Sequence, residues 1–334
     1  MSNQQISNLE HFQFRALHPN VSMGTASDRY AGWIGQIYSD QRYSKHINRR
    51  TKSVGGRPFV EQTLPVESVE EYFQHFSALE LDFTFYRPLL DKDGRPTQTY
   101  HLLQNYRKHL NKGDRLILKV PQTIFAKKLR RGGIYIENDQ YLNPASFTLQ
   151  FHKPAVELLD PWLDGLIFEQ EYQRRQDCPS PVEMADALDV FFGAIPDDDR
   201  YHVELRTEKL LSIPVFNIFE KHGVGQVLSH WTWLPPLSRQ FSLSGKRFLN
   251  AGRKCVIRLM TPRNVKYADA YAMAHPFDHL VEGMMNQQMI KETAELMRAG
   301  IENGVKTNII INNRSGGNAP LIARKVASQF LDIL

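Results

Sequence analysis

Two short runs carry groups capable of acid–base and anion chemistry at every second position. Glu80, Asp82 and Thr84 alternate with Leu81, Phe83 and Phe85, and His202, Glu204 and Arg206 alternate with Val203 and Leu205. Alternate side chains of an extended strand share one face, so each run has a polar face and an apolar one. The apolar sets suit a surface covered by helices, which leaves the charged sets pointing into the interior of a closed sheet. Lys119 and Arg258 end apolar runs in the same manner. Three acids (Glu80, Asp82, Glu204) thus face three bases (Lys119, Arg206, Arg258). Buried charge must be paired, hydrated or bound to a ligand. In one reading Arg206, Arg258 and Lys119 contact an anion, with Glu80 and Glu204 orienting them from the layer below. Glu80, Lys119 and Glu204 are then the candidates for general acid–base work, should the site be catalytic. In the other reading the charges neutralise one another and simply fill the top of the sheet.

A second anion signal lies in Asn312-Asn313-Arg314-Ser315-Gly316-Gly317-Asn318-Ala319-Pro320. Gly316 and Gly317 would let the backbone approach a ligand, and the helix that follows would offer free amides. A plain glycine turn feeding a helix is the alternative. Weaker signals are the spacing of His275, His279 and Glu282, which would align three groups on a helix face, and Trp231-Thr232-Trp233 beside a basic segment. Three collinear ligands rarely close a metal site, and Pro276 puts His275 at the helix start, so no metal is assigned. Aromatic residues among cations suit stacking on nucleic acid or sugars, or the packing of a long loop. No G-x-S-x-G, Walker loop, dinucleotide fingerprint or zinc spacing occurs, and the sequence specifies no cofactor.

The elements that must position these residues are eight apolar runs of strand length: Asn20–Ala26, Ala78–Phe85, Arg115–Val120, Leu163–Glu169, Tyr201–Arg206, Gly225–Ser229, Lys254–Met260 and Thr307–Asn313. Helical patterning follows Pro65 and covers Pro181–Ile195, Glu208–His222, Pro276–Gly300 and Ala319–Leu334. Strands alternating with helices argue for a parallel sheet, and eight units for closure as an α/β, TIM-type (β/α)8 barrel. An open doubly wound sheet is the alternative on pattern alone. The expected organisation is one barrel domain over 1–334, with an N-terminal extension at 1–18 and loop insertions at 41–64, 122–155 and 231–253. Such insertions belong at the C-terminal ends of the strands, where barrel enzymes keep their chemistry.

The 334 residues are 42% hydrophobic and 23% charged, the composition of a globular protein. No secretory signal and no run of membrane-spanning length is visible, and Cys178 and Cys255 follow no metal or redox spacing, so a cytoplasmic setting is expected. A net charge of +5 is mild, but its distribution is not even. Segments 41–60, 122–136 and 237–258 hold 16 of the 41 Lys and Arg residues without one acid. Such segregation creates a local positive field.

Several motifs resemble the domain-of-unknown-function family 72, the YecE-like barrel proteins. Met23-Gly24-Thr25-Ala26 with Trp33-Ile34-Gly35-Gln36-Ile37-Tyr38 resembles its opening strand and W-x-G-x-x-Y segment. Glu80-Leu81-Asp82-Phe83-Thr84-Phe85-Tyr86-Arg87-Pro88 resembles its E-x-N-x-T-F-Y-R-x-P stretch. Lys119, Phe168-Glu169-Gln170, Val203-Glu204-Leu205-Arg206, Ile257-Arg258-Leu259 and Ile311-Asn312-Asn313 with Ala319-Pro320 match further motifs in the same order. The sequence departs from the pattern at Asp82, Met260 and Arg314, and lacks a threonine–histidine pair after Lys119. The resemblance implies a barrel and brings no established reaction. It places Tyr86 and Gln170 beside Arg206, Arg258, Asn312, Asn313, Gly316 and Gly317 as candidate ligand-binding residues.

The leading expectation is a phosphate-recognising barrel whose partner is a phosphate-containing ligand or nucleic acid. In it, three basic loops on one face supply affinity. A small-molecule lyase or isomerase acting on a sugar or sugar phosphate is one alternative, and a non-catalytic binding module another. No membrane partner is expected.

Overall fold

The apolar runs form strands because their inward and outward faces both escape water, the condition of a parallel barrel wrapped in helices. The computed structural model describes residues 2–132, 134–174 and 176–334. Strands β1 (Val21–Ala26), β4 (Ala78–Leu81), β5 (Arg115–Lys119), β8 (Leu163–Glu169), β9 (Tyr201–Glu204), β10 (Gly225–His230), β11 (Lys254–Leu259) and β12 (Lys306–Ile311) close into a barrel. Their order is β1-β12-β11-β10-β9-β8-β5-β4, and β1 pairs in parallel with both β12 and β4. This is the TIM-type α/β fold. Where β1 meets β4, Gly24 lies opposite Ala78, and a Cβ on it would overlap the Ala78 carbonyl; the strands can close there only over a glycine.

Two hairpins extend the C-terminal end. β2 (Asn48–Val54) pairs with β3 (Arg57–Thr63) in the connection after β1, and β6 (Lys128–Arg131) with β7 (Ile134–Glu137) in that after β5. They fall in the segments 41–64 and 122–155.

Three expectations are corrected. The second strand ends at Leu81, because Asp82–Tyr86 coils into a 3-10 helix. The Thr84 hydroxyl bridges the Leu81 carbonyl and the Lys119 backbone, which closes that turn. The expected helix at Pro276–Gly300 begins only at Gln287, where the Asn286 side chain accepts from Met289 N. His275, His279 and Glu282 therefore lie on a loop instead of one helix face. Finally, only 231–236 of the segment 231–253 stays at the C-terminal end. The helix Leu237–Leu243 carries the chain back, and Arg253 hydrogen-bonds the carbonyls of Asn303 and Gly304, just before β12. Arg253 and Lys254 thus sit at the N-terminal end. The three basic segments do not share one face.

The barrel interior is layered. Ala26, Ala78, Ile117, Ile167, Val227, Val256 and Ile310 pack as one buried apolar belt with Met260. Polar residues lie on both sides of it: Glu80, Lys119, Glu169, Glu204 and Arg258 toward the C-terminal end, Arg115, Asp164, Lys254 and Lys306 toward the N-terminal end. Outside the strands a second, larger core joins barrel to helices, with Tyr72, Phe147, Phe168, Phe216 and Phe330 among its buried members. Among the described residues, no helix is long and apolar enough to cross a membrane.

Candidate functional site

Side chains from five strand ends meet above the belt in two tiers. In the deep tier Arg258, 1% exposed, donates from Nε and Nη2 to the two oxygens of Glu80, at 2.8 and 2.6 Å. Its Nη1 donates to Glu204 and lies 3.6 Å from Glu169. In the upper tier Glu169 is ion-paired with Arg206, whose Nη1 lies 2.6 Å away, and with Lys119. Arg206 Nη2 links the tiers through Glu204 at 3.2 Å. One cation and two carboxylates make the deep tier −1, and two cations and one carboxylate make the upper tier +1.

The tiers differ in electrostatics as well as position. Burial alone would raise Glu169, but Arg206, Lys119 and Arg258 hold its carboxyl down at about 2. Glu80 is raised above the usual carboxylate range by burial, in spite of Arg258. The Arg258 guanidinium, which burial disfavours, is held charged by Glu204 and Glu80.

Both upper cations also lie on aromatic rings. Lys119 Nζ is 3.9 Å from the centroid of Phe85, and Arg206 Cζ is 4.8 Å from that of Trp231. A third pair stands beside them at the strand ends, with Arg314 Cζ 4.4 Å from the Tyr267 ring. Cation–π contacts of this kind hold a charge without neutralising it. Around them Tyr86, Tyr172, Trp233 and Tyr267 are exposed. Tyr172 packs against both Trp231 and Trp233, at 6.2 and 5.8 Å between centroids.

Of the residues singled out in the sequence, Lys119, Arg206 and Tyr86 stand at the mouth. The others are placed differently. Arg258 is sealed beneath the mouth by its carboxylates, so it positions Glu80 and Glu204 and has no surface left for a ligand. Gln170 is buried, its Oε1 accepting from Arg206 N at 3.0 Å, which fixes the backbone of Arg206. Asp82 leaves the acid tally, since the 3-10 turn directs it to the Ser27 hydroxyl at 2.8 Å. The same turn brings Phe85 to Lys119 when strand alternation would have sent it outward.

The backbone amides of the closing glycine turn are largely spent, although Asn313 Nδ2 and Arg314 Nε have no partner. Asn313 Oδ1 accepts from Ala319 N at 2.7 Å and from Trp33 Nε1, and Asn318 caps Leu321 N. Asn312 Oδ1 takes Arg314 N, Gly316 and Gly317 both donate to the Asn313 carbonyl, and Pro320 has no amide hydrogen. Val281 N donates to Gly316 O, so the loop 275–286 covers the turn. Asn312, Asn313, Gly316 and Gly317 build the floor of the strand ends.

Glu169 is the member of the cluster that strand alternation in the sequence did not single out. It shares a strand face with Ile167 and flanks Lys119 on the neighbouring strand, which is the signal that could have found it. Buried polar atoms around the tiers that lack a hydrogen-bond partner include Glu169 Oε2, Glu204 Oε1, Arg206 Nε and Ser229 Oγ, the last paired in register with Arg258. Buried polar groups are almost always satisfied, so orphans gathered at one place mark a site that takes up water or a ligand.

Residues 22–332 match the family model of DUF72, described as a protein of unknown function. A DUF72 family protein of Enterococcus faecalis V583 superposes with a TM-score of 0.56 at 13% identity, over 93% of this chain and 95% of that one. One from Thermotoga maritima MSB8 gives 0.53 at 13% identity, over 94% and 98%. At such identity the likeness speaks for the fold alone. No curated protein matches the chain.

Proposed function

The chain belongs to the DUF72 family, and from that premise we propose that its barrel mouth recognises a phosphate-bearing ligand with a stackable ring, a nucleotide or the end of a nucleic-acid strand. The observation that carries this is the upper tier: the two cations nearest the mouth, Lys119 and Arg206, share Glu169 and lie on Phe85 and Trp231, so although the six groups of both tiers balance, with Glu204 also facing Arg206, the cationic side is the one turned to the exposed aromatic rings. The phosphate meets Arg206 and Lys119, and the ring stacks on Tyr86 or on the Tyr172–Trp233 pair. The hairpin cations Arg49, Arg50, Lys52 and Arg57, with Lys127, Lys128 and Arg130, favour a polyanion on the same end, although Glu61 takes up Arg50 and Lys52, Asp177 and Glu137 take up Lys128, and Asp269 faces Arg57.

Binding fits this arrangement better than proton transfer. Glu80 has both oxygens taken up by Arg258 and so has none free to reach a substrate, and Glu169 stays ionised far below neutral pH, outside the range a general acid or base needs. This weighs against the lyase or isomerase reading.

The test is a fluorescence titration with a short single-stranded oligonucleotide bearing a 5′-phosphate, its dephosphorylated twin and the mononucleotide. The phosphorylated strand is expected to bind more tightly, with affinity falling steeply as salt rises. Arg206→Ala is expected to cost about tenfold. Equal binding of both strands, insensitive to salt and to Arg206→Ala, overturns the proposal.

A further inference from the structure

At the opposite end of the barrel, Asp164 of β8 reaches across the axis to the strands on the far wall. Asn308 Nδ2 of β12 donates to its Oδ2 at 3.1 Å. Lys254 Nζ, Lys306 Nζ and Arg115 Nη1 surround the same carboxylate at 3.5, 3.7 and 3.9 Å. Asp164 is buried, while the three cations remain partly open to solvent. Lys254 also lies 3.8 Å from the exposed Asp199. Three cations therefore stand over one buried and one exposed carboxylate.

The lengths matter. At 3.5 to 3.9 Å the contacts with the carboxylate are loose ion pairs, and although Lys254 Nζ also donates to the Asp164 backbone carbonyl at 3.4 Å, each cation keeps further donors for a ligand. Lys306 is lowered chiefly by burial, with Asp164 opposing and the charges of Arg115 and Lys254 adding to the shift. Two fully buried side chains in this layer are also incompletely satisfied. Asn308 Oδ1 and His202 Nε2 have no partner; both accept, so what they call for is a donor such as water or the P–OH of a protonated phosphate. His202 Nδ1 lies 2.9 Å from the Arg200 carbonyl and so carries the proton of the neutral ring, leaving Nε2 free. Barrel strands at this end ordinarily serve stability, and packing gives no reason to gather like charges there.

We propose that the N-terminal end of the barrel is a second anion site, in which Lys254, Lys306 and Arg115 hold a tetrahedral oxyanion such as inorganic phosphate over Asp164. The apolar belt separates it from the mouth, so it binds independently of the ligand recognised there. Asp164 sets the affinity. It gathers the cations and at the same time repels the anion, which makes the site one for release as well as capture.

The test is calorimetric titration of the full chain with inorganic phosphate at low ionic strength. Lys306→Met is expected to weaken uptake about fivefold or more, and Asp164→Asn to strengthen it by a similar factor, since each changes one unit charge near the anion. Arg206→Ala is expected to leave this uptake in place, which separates it from binding at the mouth. Sulfate in place of phosphate is expected to compete, because the site reads charge and shape. Uptake that is unchanged in Lys306→Met, or that weakens in Asp164→Asn while thermal unfolding shows an intact fold, overturns the proposal.

Discussion

Replacing Arg258 with methionine tests whether the deep tier is held by charge. The guanidinium makes three hydrogen bonds to Glu80 and Glu204, and all three residues are essentially without exposure. Each charged hydrogen bond contributes about 1.5–3 kcal/mol, and methionine returns part of that sum by filling the apolar space. Two carboxylates then remain buried with only Lys119 and Arg206 nearby. Breaking such a pair from one side costs about 3–5 kcal/mol, which is the loss expected at pH 8 in urea unfolding. The loss must depend on pH. Glu80 is already raised by burial with Arg258 present, and removing the cation raises it further. A carboxyl that titrates higher in the folded than in the unfolded chain contributes stability below its unfolded pKa and loses it as pH rises through the folded one. The deficit of Arg258→Met should therefore shrink by about 1.4 kcal/mol or more between pH 8 and pH 5, and Glu80→Gln in the same chain should recover part of it. A cost below about 1 kcal/mol, equal at both pH values, would refute the reasoning.

Asp28 gives a second pH dependence. Burial raises its carboxyl to about 6, although Arg29 and the Tyr106 hydroxyl oppose this. Asp28→Asn should therefore gain on the wild type as pH rises from 4 to 8, approaching about 3 kcal/mol, and a flat difference in urea unfolding would count against it. Gly317 has φ +109 and faces the His279 carbonyl and Val281 N, so Gly317→Ala should lose about 1–3 kcal/mol in thermal unfolding. Trp231→Ala removes the ring beneath Arg206; affinity for the phosphorylated oligonucleotide should fall about fivefold with circular dichroism unchanged.

Strand positions were legible because the inward faces of the runs are either apolar or charged, and seldom mixed with loop residues. Glu80, Lys119, Glu204 and Arg258 were found by that alternation. It failed where the chain stops being extended without changing its composition. Phe85 continues the pattern of Leu81 and Phe83, yet the Thr84 hydroxyl bends the segment and turns the ring onto Lys119. Glu169 was missed because it ends a run in which only the apolar residues had been weighed. The segment 237–258 misled for a different reason: its charge is plain in the sequence, but a short helix reverses the chain, and Arg253 and Lys254 finish at the far end. The glycine turn carried the expected residues, whose amides are spent on Asn313 and Asn318.

The belt of Ala78, Ile117, Ile167, Val227, Val256 and Ile310 acts as an insulator. Its own side chains relay no proton and coordinate no ion, and the polar exception at this level is His202, which β9 sets in register with Ile167, so little charge passes between the two ends along the axis. A change of ionisation at the mouth reaches the base only as a weak field or as a movement of whole strands. Substitutions at one end should accordingly leave titration at the other untouched, and the two ends are free to diverge in what they bind.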